Sequence, residues 1–582
     1  MTIHTRDQMK SFSKVLPARP ATLPLGVAAL ALCAFSCLAS NLNAQAPAAA
    51  PLISVKGAAT LQDARKDVVL AAMLDELERN KAQLLLQDFQ RPFFIEYRLE
   101  DLTNYEAGAS FGALDNEQEE HHRAVRVTVL VGDYKTDSSR GGNGDGSLLI
   151  TTVEDDPAAL RYALWSATDV AYKNALRSLS EKQAELKSAQ TLPQAEDFSH
   201  EQPVIVLEPL VSLGFDRNAW SRRIVEASGL YRQASGGAAA GVDSAVEFSG
   251  SSMSANALNR YLVNTEGTVL RTGRTIYHAN LKVSGQAADG MRIERSYNST
   301  SVTAAELASA EEFRSKALET VDTLRQIEQA PLVESEYHGP VLFESHAAAN
   351  RFEELFAGAI DGNRPALGTE ARTTGPFASS YKARVLPDTF NVTDDPTLQR
   401  FAGKSLFGAY DVDDEGVPAR PVKVVEQGRL NNYLVGRQPI RDFPASNGHG
   451  RAQLGAGAAP HFGVLHVEAT DGVAPAELLA RLLSMGKERG LPNVYVVASP
   501  GRIYRVSVAD GKRELVRGAE IADVDLRALR SGIIAAGNDS YVLNLAEVIP
   551  STLIAPSLLV DDAIVKRANR KNDKLPYYPP PL

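Results

Sequence analysis

The chain has 582 residues, more than one hydrophobic core usually serves, so about three to four domains are expected. Its 44% hydrophobic and 23% charged residues are ordinary for a globular protein and argue against disorder over most of the chain. The formal net charge of -10 at pH 7 argues against nucleic-acid binding as the main activity.

The N-terminal segment contains the three parts of a signal peptide in order. A basic region precedes an apolar run over residues 25–38 and then Asn41-Leu42-Asn43-Ala44-Gln45, which predicts a signal peptide over residues 1–44 with cleavage after Ala44. A membrane anchor is the alternative, but the run is shorter than the roughly 20 residues of a spanning helix, and no second such run follows. We therefore expect an exported protein, periplasmic or extracellular, with no integral membrane span in the mature chain.

Both cysteines, Cys33 and Cys37, lie inside the predicted signal peptide. Lipidation of either one stays open, although the small residues that precede a lipoprotein cysteine are only partly present. Cleavage after Ala44 would leave a mature chain without a disulfide, a thiol nucleophile or a thiolate metal ligand. It would also remove four basic residues and one acidic residue, a total charge of +3, so the net charge would change from -10 to -13.

Residues 45–235 have the pattern of an N-terminal α/β domain. Four apolar residues at helical spacing between Leu70 and Leu77 predict a first amphipathic helix. Two strands with alternating apolar residues follow, over residues 93–100 and 125–131. Asp156 and Pro157 are then typical of the N-cap and first turn of a long helix. This order of helix, strands and helix indicates a layered α/β arrangement.

After residue 235 the apolar period changes to two. An antiparallel meander is predicted with the strands Tyr261–Val263, Thr268–Leu270, Thr275–Val283 and Met291–Tyr297. One of the turns between them is Arg271-Thr272-Gly273. Thr303 and Glu306 have the spacing of a capping box ahead of a helix through Phe313. Residues 236–330 are therefore predicted to form this meander and a connecting helix.

Residues 331–582 are predicted to be β-rich, with Gly-containing turns and one helix beginning at Pro475. The stretch 339–356 differs, because a short apolar run there enters a helix with Ala348, Phe352, Phe356 and Ile360 on one face. The predicted fold class is therefore α+β, with an N-terminal α/β domain followed by a β-rich C-terminal domain.

Four separated segments stand out in the C-terminal part: Gly339-Pro340-Val341-Leu342-Phe343 before the helix, Asp413-Asp414-Glu415-Gly416-Val417-Pro418 before a hairpin, Ser446-Asn447-Gly448-His449-Gly450-Arg451, and Gly537-Asn538-Asp539 followed by Ala555-Pro556-Ser557-Leu558-Leu559-Val560. In this order and spacing they resemble the TldD/PmbA family of metallopeptidases. The resemblance covers most of the mature chain and is strongest from about residue 330 to 565. It implies an α/β N-terminal part and a β-rich C-terminal domain of the TldD/PmbA type.

Active members of that family carry a His-Glu-x-x-x-His motif at the start of this helix and a cysteine near the C-terminus, which together hold zinc. Aligned on Val341-Leu342-Phe343, the six motif positions here are Glu344, Ser345, His346, Ala347, Ala348 and Ala349. No cysteine follows Gly537-Asn538-Asp539. A catalytic zinc needs about three protein ligands and an open position for water. We therefore expect no cofactor, while the family fold is retained.

The leading interpretation is an exported, non-catalytic or catalytically altered member of this family. The resemblance implies a counterpart of the PmbA-type half of two-subunit assemblies, in which one chain lacks zinc. It further implies a homo-oligomer, or a hetero-oligomer with a catalytic TldD-like homologue, and a peptide as substrate.

An active metallopeptidase with substitute zinc ligands is the second interpretation. Glu344 and His346 are two residues apart on a helix and point about 200° apart. His346, Asn350 and Glu353 share a helix face and could bind a divalent ion with help from a distant His338, His449 or His461. A third interpretation is a non-enzymatic envelope binding protein. Metal content separates the second interpretation from the other two, and co-purification of a zinc-bearing homologue separates the first from the third.

Overall fold

The computed structural model describes residues 57–140, 146–189, 193, 195–232, 246–546 and 548–569. The predicted signal peptide, with Cys33 and Cys37, lies outside the described residues. None of the helices in the described part of the chain is long and apolar enough to span a membrane.

Seven strands of the N-terminal part form one sheet: β1 (Phe94–Ser110), β2 (Ala113–Leu130), β3 (Ser147–Thr151), β4 (Ile205–Leu207), β5 (Val246–Asn264), β6 (Val269–Gln286) and β7 (Arg292–Ser301). Their order in the sheet is β3-β2-β1-β5-β6-β4, and β7 also pairs with β6. All neighbours are antiparallel except β4 and β6.

The hairpin of β1 and β2 is much longer than the sequence predicts. Pairing extends from Phe94 with Leu130 to Ser110 with Ala113, and Phe111 and Gly112 in the turn both have positive φ. Residues 113–122 are exposed throughout, so no apolar alternation marks this part of β2. The predicted alternation is confirmed at the base of the hairpin, where both strands carry buried apolar residues.

Five helices belong to the N-terminal part: α1 (Leu61–Ala64), α2 (Val68–Gln83), α3 (Pro157–Ser188), α4 (Arg217–Gly229) and α5 (Ala310–Gln329). Helices α2 and α3 pack on one half of the sheet, and α4 and α5 pack on the other half. The predicted start of α3 is confirmed, because Asp156 accepts a hydrogen bond from the Ala159 amide at 2.7 Å and Pro157 occupies the first turn. Each helix therefore buries one apolar face against the same sheet.

The predicted turn at Arg271-Thr272-Gly273 is wrong, because β6 continues through it. Gly273 instead allows the chain around Glu208 to approach closely. Its amide donates to Glu208 Oε2 at 3.0 Å, and a Cβ would lie 2.8 Å from a methyl carbon of Val211. Strands β5 to β7 also extend the sheet of β1 and β2. One sheet therefore contains strands from both sides of the boundary that is expected near residue 235.

The predicted capping box of Thr303 and Glu306 is also wrong. Thr303 precedes a 3₁₀ turn over Ala304–Glu306, and its side chain makes no cap bond. Glu306, the last residue of that turn, accepts from Arg400 at 2.7 Å. Helix α5 begins later, at Ala310, where Ser309 Oγ accepts from the Glu312 amide at 3.1 Å. The hydroxyl that satisfies the first turn is therefore that of Ser309.

Hydrogen exchange distinguishes the two caps. We expect Ser309→Ala to speed exchange of the Glu312 amide about fivefold, since loss of an N-cap costs about 1 kcal/mol of local stability. Thr303→Ala is the matched control and should leave that amide unchanged. A larger effect of Thr303→Ala than of Ser309→Ala would contradict this assignment.

The C-terminal part adds three helices, α6 (Ser345–Leu355), α7 (Pro475–Glu488) and α8 (Leu526–Ser531). Its strands are β8 (Tyr337–Phe343), β9 (Phe390–Asp394), β10 (Arg400–Phe401), β11 (Lys404–Ser405), β12 (Val422–Glu426), β13 (Arg429–Leu430), β14 (Gly450–Ala452), β15 (Ala458–Pro460), β16 (Val464–Ala469), β17 (Asn493–Ser499), β18 (Arg502–Ser507), β19 (Arg513–Val516), β20 (Ala519–Ala522), β21 (Ile533–Ala536), β22 (Tyr541–Leu545), β23 (Ser551–Ala555) and β24 (Leu558–Arg567).

Two large sheets organise this part. One has the order β13-β12-β9-β16-β23-β22, and the other has the order β19-β18-β17-β8-β24-β20, with β21 also paired to β24. Strands β10 and β11 form a small hairpin, as do β14 and β15. The predominance of strands after residue 331 is as predicted.

Helix α6 packs against both large sheets. Its Phe352 belongs to the core that also contains Phe343 of β8 and Leu553 of β23. The predicted apolar face is confirmed, and after Leu355 a 3₁₀ turn over Ala357–Ile360 continues the buried surface. The Glu344 amide donates to the Val497 carbonyl at 2.9 Å, which ties the start of the helix to β17. The first turn of α6 is therefore held by packing on both sides.

Candidate functional site

A cavity of about 1070 Å³ lies beside the first turn of α6, and we call it the cleft. It is lined by β7, by one side of α5, by the hairpin of β10 and β11, by β22 and by His346 of α6. The N-terminal and C-terminal parts of the chain thus each contribute a wall.

Two strands at sheet edges face the cleft. Within the described part of the chain, β7 pairs only with β6, and β22 pairs only with β23. Residues 294–301 of β7 and 541–544 of β22 line the cleft without interruption. A strand that presented one face would contribute alternate residues only, since its side chains alternate between faces. Consecutive lining residues indicate that the strand edges, with their N–H and C=O groups, are turned toward the cavity.

His346 is the motif position that lines the cleft. Its ring stacks on Tyr541 of β22, with centroids 4.5 Å apart and planes at 17°. Lys404 Nζ lies 5.3 Å from the centroid of the same tyrosine ring. Burial, and then the positive charge of Lys404, lower the pKa of His346 below its ordinary value. Both effects favour the neutral form of the imidazole.

The other motif positions point elsewhere. Glu344 stands at the N-cap of α6 without a side-chain cap bond, and its Oε1 accepts from Arg513 at 2.7 Å. Ala349 is fully buried and carries no ligand atom, and Ser345 is not among the residues that line the cleft. The helix start that holds zinc in active members therefore offers a single imidazole here.

Of the three substitute ligands predicted on α6, His346 lines the cleft, and Asn350 and Glu353 do not. Asn350 donates its side-chain amide to the His346 carbonyl at 2.9 Å, and Glu353 lies outside the cleft lining. Burial, and then the neighbouring Glu354, raise the pKa of Glu353.

The three distant histidines also lie outside the cleft lining. His338 is exposed beside Glu336, His449 is buried against Asp394 at 3.1 Å, and the His461 amide bonds to the His449 carbonyl at 3.1 Å. Within the described part of the chain, none of them belongs with His346 to a group of three or more His, Cys, Asp or Glu side chains that could hold a metal ion.

The donor set does not fit a catalytic zinc. Such an ion needs about three protein ligands drawn from imidazoles, thiolates and carboxylates. Among the residues that the structure describes, no group of three or more His, Cys, Asp or Glu side chains could hold a metal ion. We therefore derive no step of chemistry through zinc.

Sequence reasoning did not find Lys404, Tyr541 or the edge of β7 as parts of this site. The predicted strand Met291–Tyr297 overlaps β7, but its place at the sheet edge depends on non-local pairing. Lys404 and Tyr541 are 137 residues apart in the chain, and only the hairpin of β10 and β11 brings them together. No local pattern carries that information.

The C-terminal part is similar to known proteins. Residues 336–567 match the domain family described as the PmbA/TldA metallopeptidase C-terminal domain. A protein named Metalloprotease from Archaeoglobus fulgidus is 27% identical over 138 residues, which are 24% of this chain. The chain spans 30% of the length of that relative.

The solved structure of TldE from Thermococcus kodakarensis resembles the whole fold. The match has a TM-score of 0.54 at 13% sequence identity and covers 85% of this chain and 100% of that one. At this identity the likeness shows the fold alone. The α+β fold with a C-terminal domain of this type, expected from the sequence, is confirmed.

Proposed function

Because the chain belongs to the TldD/PmbA family through its C-terminal domain, we propose that it is an exported, non-catalytic member that holds extended peptides in the cleft. The observation that carries this proposal is the pair of strand edges, β7 and β22, turned toward one cavity. An extended peptide can add to such an edge through main-chain hydrogen bonds, which do not depend on its sequence.

The proposal includes no cleavage of the peptide, because the side chains at the cleft do not form a set of zinc ligands. The His346 imidazole, whose neutral form is favoured, stacks on Tyr541, and Glu344 is paired with Arg513. No second ligand stands opposite His346, since the corresponding motif position is Ala349. The residues at the cleft are therefore suited to holding a peptide rather than to activating water.

A partner subunit is the second element of the proposal. A chain that binds peptide without cleaving it would serve proteolysis by presenting the peptide to a catalytic TldD-like homologue. The two-subunit assemblies that the family resemblance implies motivate this role, and the likeness in fold to TldE of Thermococcus kodakarensis is compatible with it. A homo-oligomer is the alternative, and recovery of a zinc-bearing homologue with the native protein separates the two.

Peptide binding through strand edges can be tested with backbone N-methylation. We expect the mature protein to bind a short unfolded peptide, measured by fluorescence anisotropy, and to leave it intact by mass spectrometry. The same peptide methylated at every central amide should bind at least about tenfold more weakly, because methylation removes the N–H donors.

Two results would contradict the proposal. Equal affinity for the methylated and unmethylated peptides would show that main-chain hydrogen bonds to the strand edges do not hold the peptide. If no unfolded peptide binds to the protein, either alone or together with its co-purified partner, the proposed function of holding peptides is wrong.

A further inference from the structure

More cationic than acidic side chains line the cleft. Five cationic and three acidic side chains line it: Arg295, Lys316, Arg400, Lys404 and Arg502, with Glu294, Glu306 and Glu319. Each carboxylate is already paired, Glu294 with Lys282 at 2.7 Å, Glu306 with Arg400 at 2.7 Å and Glu319 with Lys316 at 2.8 Å. Arg295, Arg502 and Lys404 are left, and within the described part of the chain none of these three forms an ion pair.

Arg295 and Arg502 form one end of this positive surface. Arg295, on β7, donates to the carbonyl of Gly501, and its Nε is buried with no hydrogen-bond partner. Arg502 donates its Nε to the Tyr504 hydroxyl at 2.9 Å. Burial, and then the charge of Arg502, lower the pKa of Arg295. Two cations so placed repel each other, and an anion between them would relieve that repulsion.

Lys404 provides a second positive position, beside β22. Its side chain is exposed at the tip of the hairpin and lies over Tyr541. The His346 ring stacks on the same tyrosine and, in its neutral form, adds no charge. A peptide carboxylate that reaches Lys404 would therefore meet an unpaired ammonium group next to an aromatic surface.

The positive surface belongs to an acidic protein. The chain has a net charge of -10, so excess positive charge in one cavity is not a consequence of general basicity. Such a cleft concentrates anionic ligands while the rest of the surface repels them. Nucleic acid needs an extended basic surface, which three cations in one cavity do not provide, whereas an acidic peptide can add to a strand edge through its main chain.

We infer that the cleft selects peptides rich in Asp and Glu, whose side-chain carboxylates bind Arg295, Arg502 and Lys404. This inference rests on the proposed function, because it names the class of peptide that the strand edges hold. The main chain supplies binding that is independent of sequence, and the three cations supply the preference.

Three peptides of equal length that differ only in Glu, Gln or Lys at the same positions test the inference. We expect the Glu peptide to bind about tenfold more tightly than the Gln peptide in low salt, with a smaller ratio in high salt, and the Lys peptide to bind most weakly. Lys404→Gln combined with Arg502→Gln should lower the Glu to Gln affinity ratio at least about threefold, because Arg295 alone remains. Lys404→Arg should retain the ratio, and so should Arg384→Gln, an exposed residue outside the cleft lining.

The outcomes separate the two proposals. Equal binding of the Glu and Gln peptides would overturn the inference while peptide holding stands. No binding of any of the three would overturn the proposed function itself. Tighter binding of a single-stranded DNA oligonucleotide of matched charge, in competition with the Glu peptide, would overturn the choice of an acidic peptide.

Discussion

Replacing Arg437 by methionine is expected to lower the free energy of unfolding by about 3–5 kcal/mol, because the change removes the ion-pair partner of Glu266, whose side chain is only 14% exposed. Arg437 is 1% exposed and donates to both oxygens of Glu266 at 2.6 and 2.8 Å, and to the Ser199 carbonyl at 2.6 Å. Its guanidinium carbon also lies 4.0 Å from the ring centroid of Phe198. These contacts join the C-terminal part to the turn between β5 and β6, through Glu266, and to the segment before β4, through Phe198 and Ser199.

Arg384→Met is the matched control for Arg437→Met. Arg384 pairs with Asp388 on the surface at 3.3 Å, with both side chains more than half exposed. An exposed pair contributes at most about 1 kcal/mol, so this variant should unfold almost as the wild type does. Urea unfolding followed by circular dichroism measures both variants, and equal losses for the two would show that Arg437 does not join the parts of the chain.

Replacing Gly408 by alanine is expected to cost at least about 3 kcal/mol and to weaken the binding of an acidic peptide. A Cβ there would stand 1.8 Å from the Gly463 carbonyl oxygen and 2.9 Å from the Thr552 amide nitrogen. Both are backbone atoms, which cannot move aside as a flexible side chain does. The Gly408 amide also donates to Thr552 Oγ1 at 3.1 Å, which anchors the segment that follows β10 and β11. A displaced hairpin would carry Lys404 away from the cleft.

Gly358→Ala controls for the loss of glycine itself. A Cβ at Gly358 would meet nothing within 4 Å, so the substitution should leave the unfolding midpoint and peptide affinity unchanged. Thermal unfolding and anisotropy with the unfolded peptide measure both variants. A Gly408→Ala protein that melts with the wild type and binds the peptide as tightly would contradict the close approach at this position.

Local patterns predicted the elements that depend on neighbours in the chain. The apolar run into α6 and the N-cap of α3 at Asp156 and Pro157 both rest on residues a few positions apart, and both are observed. The misplaced cap at Thr303 shows the limit, since Ser309 six residues later was equally able to begin the helix. The turn predicted at Gly273 is wrong because the glycine there allows a close tertiary contact and does not mark a local bend.

The cleft could be predicted only in part. The sequence located Glu344 and His346 at the start of α6 and showed that zinc ligands are missing from the motif positions. It did not reveal that Arg513 forms an ion pair with Glu344, or that Tyr541 stacks on His346. Both contacts join segments more than 160 residues apart. Sheet order decides which strand edges face the cavity, and sheet order is non-local.

The central claim is that this family member holds peptides and does not cleave them with zinc. The metal content of the purified protein tests that claim most directly. Elemental analysis after exposure to zinc and dialysis should find much less than one zinc per chain in the wild type, because His346 belongs to no metal-holding group of side chains among the residues that the structure describes. Unfolded peptide incubated with the same sample should remain intact, with or without a chelator. Stoichiometric zinc in the wild type that disappears in His346→Ala, together with chelator-sensitive cleavage, would contradict the account.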